Sequence, residues 1–292
     1  MRRIAQKTEV QAMPTNRGRM KNQIFQSAQQ NVIRAVLLCC VLMLAPRFAF
    51  TQEQSFPLPT TTGAVGKKDS GALAEIKAHL LTVSASGWQD LQATGTLTYP
   101  DSDTHPATLY LMGSKYSRLD IEMGAGTRSL RIGGFAGRFQ DEQGNQGSLP
   151  PGTSCAGIVA FSRIWFDAVT SSRIALTDEN IYDGTGQSLH RITMEYPLES
   201  ATGSGLVNRT AATDLYFDPS THLLAYSVDA VAFHGSTRQI FNRVTAYGDY
   251  QQFSGIKVPT AIKQYLNGQL QWTLQLSQVT VNSAPPAHTF SF

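Results

Sequence analysis

Only three cysteines occur in the 292 residues, and charged residues make up only 15%. Cys39 and Cys40 stand side by side in an apolar block, so Cys155 is the one thiol outside it and no intramolecular disulfide can staple the rest of the chain. Long apolar runs are missing as well. The longest, Ala35 to Ala45, falls well short of the roughly 20 residues a membrane-spanning helix needs. A basic excess disappears once the N-terminus is set apart. Residues 1–51 carry eight Lys and Arg against Glu9 alone, which leaves 16 basic and 20 acidic residues in the remainder. A mildly acidic body without a basic cluster argues against nucleic acid as a partner.

Catalytic motifs are missing too. The histidines at 79, 105, 190, 222, 234 and 288 are scattered, none has metal-ligand spacing, and each reads as a surface or loop residue. The segment Gly152-Thr153-Ser154-Cys155-Ala156-Gly157 is one residue too long for a nucleophile elbow, so Ser154 and Cys155 read as a helix cap and a buried thiol. Gly124-Ala125-Gly126 and Gly133-Gly134 lie between strands rather than before a helix, where a phosphate cradle would sit. The expectation is a non-catalytic protein without metal or cofactor. Cys155, as a buried helix thiol, is expected to leave the protein monomeric.

What is present begins with an export signal over 1–51: basic residues, the apolar block, then the small-residue site Ala49-Phe50-Thr51. This places the protein in the periplasm or outside the cell. Residues 52–68, rich in Thr, Pro, Gly and Gln, read as a flexible linker. Residues 69–292 follow as a single domain.

That domain opens with a helix capped at Asp69 or Ser70, whose apolar stripe is Leu73, Ile76, Leu80 and Val83. Short strands come next, at Leu91 to Tyr99, Ala107 to Met112, Tyr116 to Met123, Arg128 to Ile132 and Gly137 to Gln140. Turn signals spaced about 8 to 12 residues apart indicate antiparallel meanders. Thr153 to Val169 reads as a helix apolar nearly all round, with one stripe through Cys155, Ile158, Trp165 and Phe166 and a second through Phe161, Ile164 and Ala168. Strands resume at Arg173 to Leu176, Glu179 to Tyr182, Leu189 to Tyr196, Thr213 to Phe217, His222 to Phe233 and Gln239 to Tyr250.

The C-terminal hairpin carries the strongest local signal. Asn267-Gly268 between alternating segments predicts a type I′ turn, because both central residues must adopt positive φ. The register that follows pairs Leu266 with Gln269, Tyr265 with Leu270, Lys263 with Trp272 and Ala261 with Leu274. Leu276 and Val279 stand three apart, so the apolar phase slips there as at a bulge. Both faces of this hairpin carry apolar residues, which suits a sheet curled around a space.

Several of these features together resemble a known group. A first helix ending before Trp88, a strand opening Leu91-Gln92-Ala93-Thr94-Gly95 and the run Lys115-Tyr116-Ser117-Arg118-Leu119-Asp120-Ile121 are similar to the lipoprotein-localisation carriers of the LolA/LolB/RseB-like superfamily. Leu215-Tyr216-Phe217-Asp218-Pro219, Tyr247-Gly248-Asp249-Tyr250 and Gly255-Ile256-Lys257-Val258-Pro259 resemble the tail of its divergent bacterial branches. The resemblance implies a mainly β (α+β) fold: a curved antiparallel sheet forming an incomplete β-barrel, with helices on the concave face as a lid over an apolar cavity for acyl chains. On that basis the lid and cavity candidates are Ile158, Phe161, Ile164, Trp165 and Phe166, with Leu119 and Ile121 on the sheet. The basic residue that governs lid closure in the carriers is replaced here by Met112. The expected function is an exported, non-catalytic binding protein for a lipid or other apolar ligand. The alternative is an envelope regulatory module that meets a protein partner through the same surface, and an enzyme ranks third.

Overall fold

The computed structural model describes residues 56–60, 62, 66–84, 87–113, 116–133, 136–149, 161, 164–196, 212–233 and 236–290. All of them fall within one unit, Glu53–Phe292. The export segment 1–51, Cys155 and Ile158 lie outside the described residues, and so do the side chains of Trp165 and Phe166.

A single helix, α1 (Ser70–Val83), precedes the sheet among the described residues. The strands of the first half are β1 (Asp90–Thr98), β2 (Thr104–Met112), β3 (Tyr116–Met123), β4 (Gly126–Gly133), β5 (Ala136–Gln140) and β6 (Gln146–Ser148). Those of the second half are β7 (Ala175–Tyr182), β8 (Leu189–Glu195), β9 (Ala212–Phe217), β10 (Leu224–Phe233), β11 (Ser236–Phe253), β12 (Ile256–Leu266) and β13 (Gln269–Val281). They form one antiparallel sheet in the order β6-β5-β4-β3-β2-β1-β13-β12-β11-β10-β9-β8-β7. Each half is a meander of nearest neighbours, and the β1–β13 pair joins the two. With β6 and β7 left as edges, the sheet is an open, incomplete barrel, as the resemblance implied.

Local sequence explains much of this. Asn267 and Gly268 adopt φ of 47° and 77°, the conformation a type I′ turn requires. Leu266 pairs with Gln269 and Tyr265 with Leu270, after which a bulge shifts the register to Gln264–Trp272 and Ile262–Leu274. The expected pairs Lys263–Trp272 and Ala261–Leu274 are thereby corrected. The extra residue rotates Trp272, Leu274 and Leu276 onto the face already occupied by Val258 and Ile262, and all five join one apolar cluster. The phase slip before Val279 is a second bulge: Thr94 pairs with Gln278 and Gly95 with Leu276, leaving Ser277 unpaired. Gly95 fits because any Cβ there would lie 2.1 Å from the Gln275 carbonyl oxygen.

Three other expectations change. Arg173 to Leu176 and Glu179 to Tyr182 do not form two strands; β7 runs through both, with a register shift between Asp178 and Ile181. Asp69 makes no side-chain cap, because its carboxylate accepts from the Asp178 backbone N–H at 3.3 Å instead. Within the segment read as a flexible linker, described residues touch the domain. Phe56 is buried on the outer face of the sheet among Leu189, Tyr216, Val228 and Val244. Thr62 donates to Glu195 through both its N–H and its hydroxyl. Lys68 bridges Leu176 along the β7 edge. The chain thus passes over an edge whose unpaired backbone groups would otherwise be open, and enters α1 on the inner face.

Candidate functional site: the inner face and its helix layer

Strand alternation builds the inner face. Leu91, Ala93 and Leu97 of β1 stand beside Leu109 and Leu111 of β2, Leu119 and Ile121 of β3 and Ile132 of β4. All are buried in the large apolar cluster. Toward β12 and β13 the same cluster continues through Val258, Ile262, Leu274 and Leu276. Alternating sequence therefore becomes a continuous apolar wall.

Two helical pieces lie against that wall. The first, α1, contributes Ala72, Ile76 and Val83, all fully buried, with Leu73 and Leu80 packed beside them. The second is the described part of the expected Thr153 to Val169 helix. Its final turn, Ile164–Ala168, is a wide π-type turn rather than a regular α-helix. Phe161, Ile164 and Ala168 are fully buried in the same cluster, and Phe161 meets Tyr247 edge-on at 6.0 Å. Phe161 and Ile164 thus come together with Leu119 and Ile121 in one core. Toward β9–β11 the wall becomes polar: Asp229 and Arg243 form a buried pair, and Ser227 meets the Tyr247 hydroxyl at 3.0 Å. Burial holds the Asp229 carboxyl above its ordinary range despite Arg243.

A cluster of titratable groups lies where α1 meets the sheet, and it corrects the reading of His79 and His190 as surface or loop residues. Gly71, Glu75 and His79 recur every four residues and so share a stripe of α1. Glu75 and His79 are buried. His190 of β8 stands between two carboxylates, with Nδ1 3.1 Å from Glu75 Oε2 and Nε2 2.9 Å from Asp178 Oδ1. His222, in the β9–β10 turn, donates from Nδ1 to Glu75 Oε1 at 2.9 Å. His79 Nδ1 donates to the His222 carbonyl at 2.8 Å.

Electrostatics divide these rings. Burial drives His79 down to about 4, so it stays neutral at ordinary pH. For His190 burial acts downward too, but the hydrogen bonds to Asp178 and Glu75 outweigh it and raise the imidazole above its usual value. Asp178 is lowered: burial would raise it, and its bond to His190 prevails. Sequence could have shown the Gly71, Glu75, His79 stripe. It could not have shown His190 and His222, which lie 115 and 147 residues from Glu75.

Among the described residues no group of three or more His, Cys, Asp and Glu side chains is placed to hold a metal ion. No helix among them is long and apolar enough to cross a membrane. A polar cleft of about 300 Å³ opens between Ser84, Gly87, Ser254, Gly255 and Asn282 at the end of α1. Ile256 and Val281, which belong to the edge of the apolar cluster, complete its lining.

No protein-family model matches the chain, and no curated protein matches it in sequence. Solved structures do match. A Vibrio parahaemolyticus domain that carries the name of an outer membrane lipoprotein-sorting protein superimposes on 76% of this chain and 96% of its own, with a TM-score of 0.50 at 8% identity. A LolA superfamily protein from Nitrosomonas europaea matches 76% of this chain and 97% of its own, with a TM-score of 0.49 at 12% identity. At such identities the likeness concerns the fold. The chain has a divergent fold of the lipoprotein-localisation type, as its sequence resemblance implied.

Proposed function

We propose that the protein is an exported, non-catalytic carrier that holds an acyl chain or similar apolar ligand between the inner wall of the sheet and its helix layer. One observation carries the reading: the wall is continuous and apolar from β4 through β1 to β12, on a sheet that does not close. A closed barrel would have no such seam. The fold shared with the lipoprotein-sorting domain supports the same reading. His190 is not placed as a general base, since both its nitrogens face carboxylates.

The conformation described is a closed one. Leu91, Leu109, Phe161 and Ile164 are fully buried, so an acyl chain enters only by replacing side chains of the helix layer. Release of α1, of the Phe161 turn or of both then opens the wall, and the periplasm is the compartment proposed for this exchange.

Native mass spectrometry and organic extraction of protein purified from cells test the proposal. A co-purifying acyl-chain lipid, lost when Leu109 and Leu119 are both changed to Asn, is the expected result. Extraction that yields no lipid, together with failure to take up a fluorescent fatty acid, would overturn it.

A further inference from the structure

Glu75, His190 and Asp178 join three elements through one imidazole. Glu75 belongs to α1, His190 to β8 and Asp178 to the edge strand β7. The ring reaches one carboxylate through each nitrogen. A neutral imidazole has one N–H and one lone pair, so it can donate to only one of them. The other contact then sets a lone pair against a carboxylate oxygen. The arrangement is complete only when the ring is an imidazolium, which also places a positive charge between two negative ones.

We propose that His190, bridged between Glu75 and Asp178, is a pH-dependent catch that holds α1 over the apolar wall. The inference rests on the proposed carrier function only for what release uncovers. Protonated, the ring ties the helix to β7 and β8; deprotonated, it loses one tie and leaves two carboxylates with no cation between them.

The surroundings fit this role. From α1 the cluster is faced by Glu75 and by His79, which is neutral and donates to the His222 carbonyl. From the β9–β10 turn it is faced by His222, which donates to the other oxygen of Glu75. From β7 it is faced by Asp178, whose backbone N–H reaches Asp69 just before the helix. Gly71 makes the close approach of Asp178 possible: a Cβ there would lie 2.0 Å from Asp178 Oδ2. The carboxylate therefore rests against the first turn of α1, where unpaired helix N–H groups favour negative charge.

The sign follows from the raised value of His190. A group that binds its proton more tightly in the closed form stabilises that form at low pH, and the contribution is lost as pH rises through the raised value. The catch is therefore closed below the raised value and opens as pH passes above it.

Hydrogen exchange on the purified protein, expressed as protection factors so that intrinsic rates divide out, tests this. Peptides covering 70–83 report on α1 and those of β1 serve as reference. Between about pH 6 and about pH 9 the protection of α1 is expected to fall roughly tenfold or more, while β1 is unchanged. His190→Gln should give weak protection of α1 at both pH values. Asp178→Asn leaves one carboxylate that a neutral ring can satisfy, so its pH dependence should shrink; this variant serves if His190→Gln does not fold. Gly71→Ala should weaken protection at low pH with every titratable group in place. A flat profile in the wild type, or an equal fall in Asp178→Asn, overturns the catch. Uptake of a fluorescent fatty acid in the same samples separates the two ideas. Release of α1 without uptake sinks the carrier reading and leaves the catch standing.

Discussion

Two segments cover the sheet from opposite sides, and different chemistry holds them. At Phe56 on the outer face the contacts are rings and amides. Tyr182 stacks at 5.9 Å, Tyr216 and Tyr226 approach at 4.8 and 5.0 Å, and Asn242 Nδ2 donates to the Phe56 carbonyl at 2.9 Å. At α1 on the inner face an apolar stripe is flanked by titratable groups that reach three separate elements. Ring contacts do not respond to protons over the ordinary range, whereas an imidazole between carboxylates does. One layer is thus built as a fixed anchor and the other as a part that solution conditions can loosen.

Removal of the anchor has the largest expected effect. Phe56→Ala empties the aromatic socket and is expected to cost about 3 to 5 kcal/mol, the range for a buried Phe truncated in a packed site. Urea unfolding near pH 6 and pH 8 should show the same loss at both; a loss confined to one would mean that the anchor, too, is titratable.

The acid limb of α1 comes next. His79 is held at about 4 by burial, below its unfolded value of 6.5. A depressed histidine contributes stability that is complete above its unfolded value and is lost as pH falls toward its folded one. The difference corresponds to about 3 kcal/mol. The urea midpoint should therefore fall on acidification from about pH 6.5 to about pH 4, and His79→Gln should remove most of that slope. An unchanged slope in the variant would place the acid sensitivity elsewhere.

Smaller effects join the hairpin to the anchor. Asn267 Oδ1 accepts from the Asn242 backbone N–H at 2.8 Å, and Asn242 in turn holds Phe56. Gly268→Val forces a β-branched residue to the positive φ of this turn and should cost about 1 to 3 kcal/mol. Asn267→Gly keeps the dihedrals but loses the hydrogen bond, for about 1 kcal/mol. Urea midpoints of the two variants should fall in that order; equal midpoints would show that the side-chain bond, not the turn, sets the register. The smallest effect belongs to Leu81, which is 80% exposed on α1. Leu81→Ser should stay within about 0.5 kcal/mol of wild type in the same assay; a larger loss would mean that this side of the helix is also covered.

Legibility in the sequence followed range. The hairpin turn, the bulge at Ser277 and the apolar stripe of α1 each depend on neighbours a few residues apart. Leu119 and Ile121 could be assigned to an apolar face from alternation within β3, and Phe161 and Ile164 to a stripe from helical spacing. The bulge beside Gln271 escaped, because a Gln-rich alternating run looks the same with or without one extra residue. Its consequence was large, since it moved Trp272, Leu274 and Leu276 to the other side of the strand. Phe56 escaped because a lone aromatic among Thr and Pro has no periodicity from which to infer a partner.

Backbone sterics and side-chain period, acting over a few residues, made some features readable in advance: positive φ at Asn267 and Gly268, the phase slip before Val279, the buried stripe of α1 and the antiparallel meanders of the strands. Only the tertiary structure decided which charges meet. Glu75 meets His190 and His222 across 115 and 147 residues, and Asp178 joins them from a neighbouring strand. A histidine takes its protonation from the carboxylates and the burial around it, and those neighbours exist only after the sheet has brought β7, β8 and the β9–β10 turn under one face of α1.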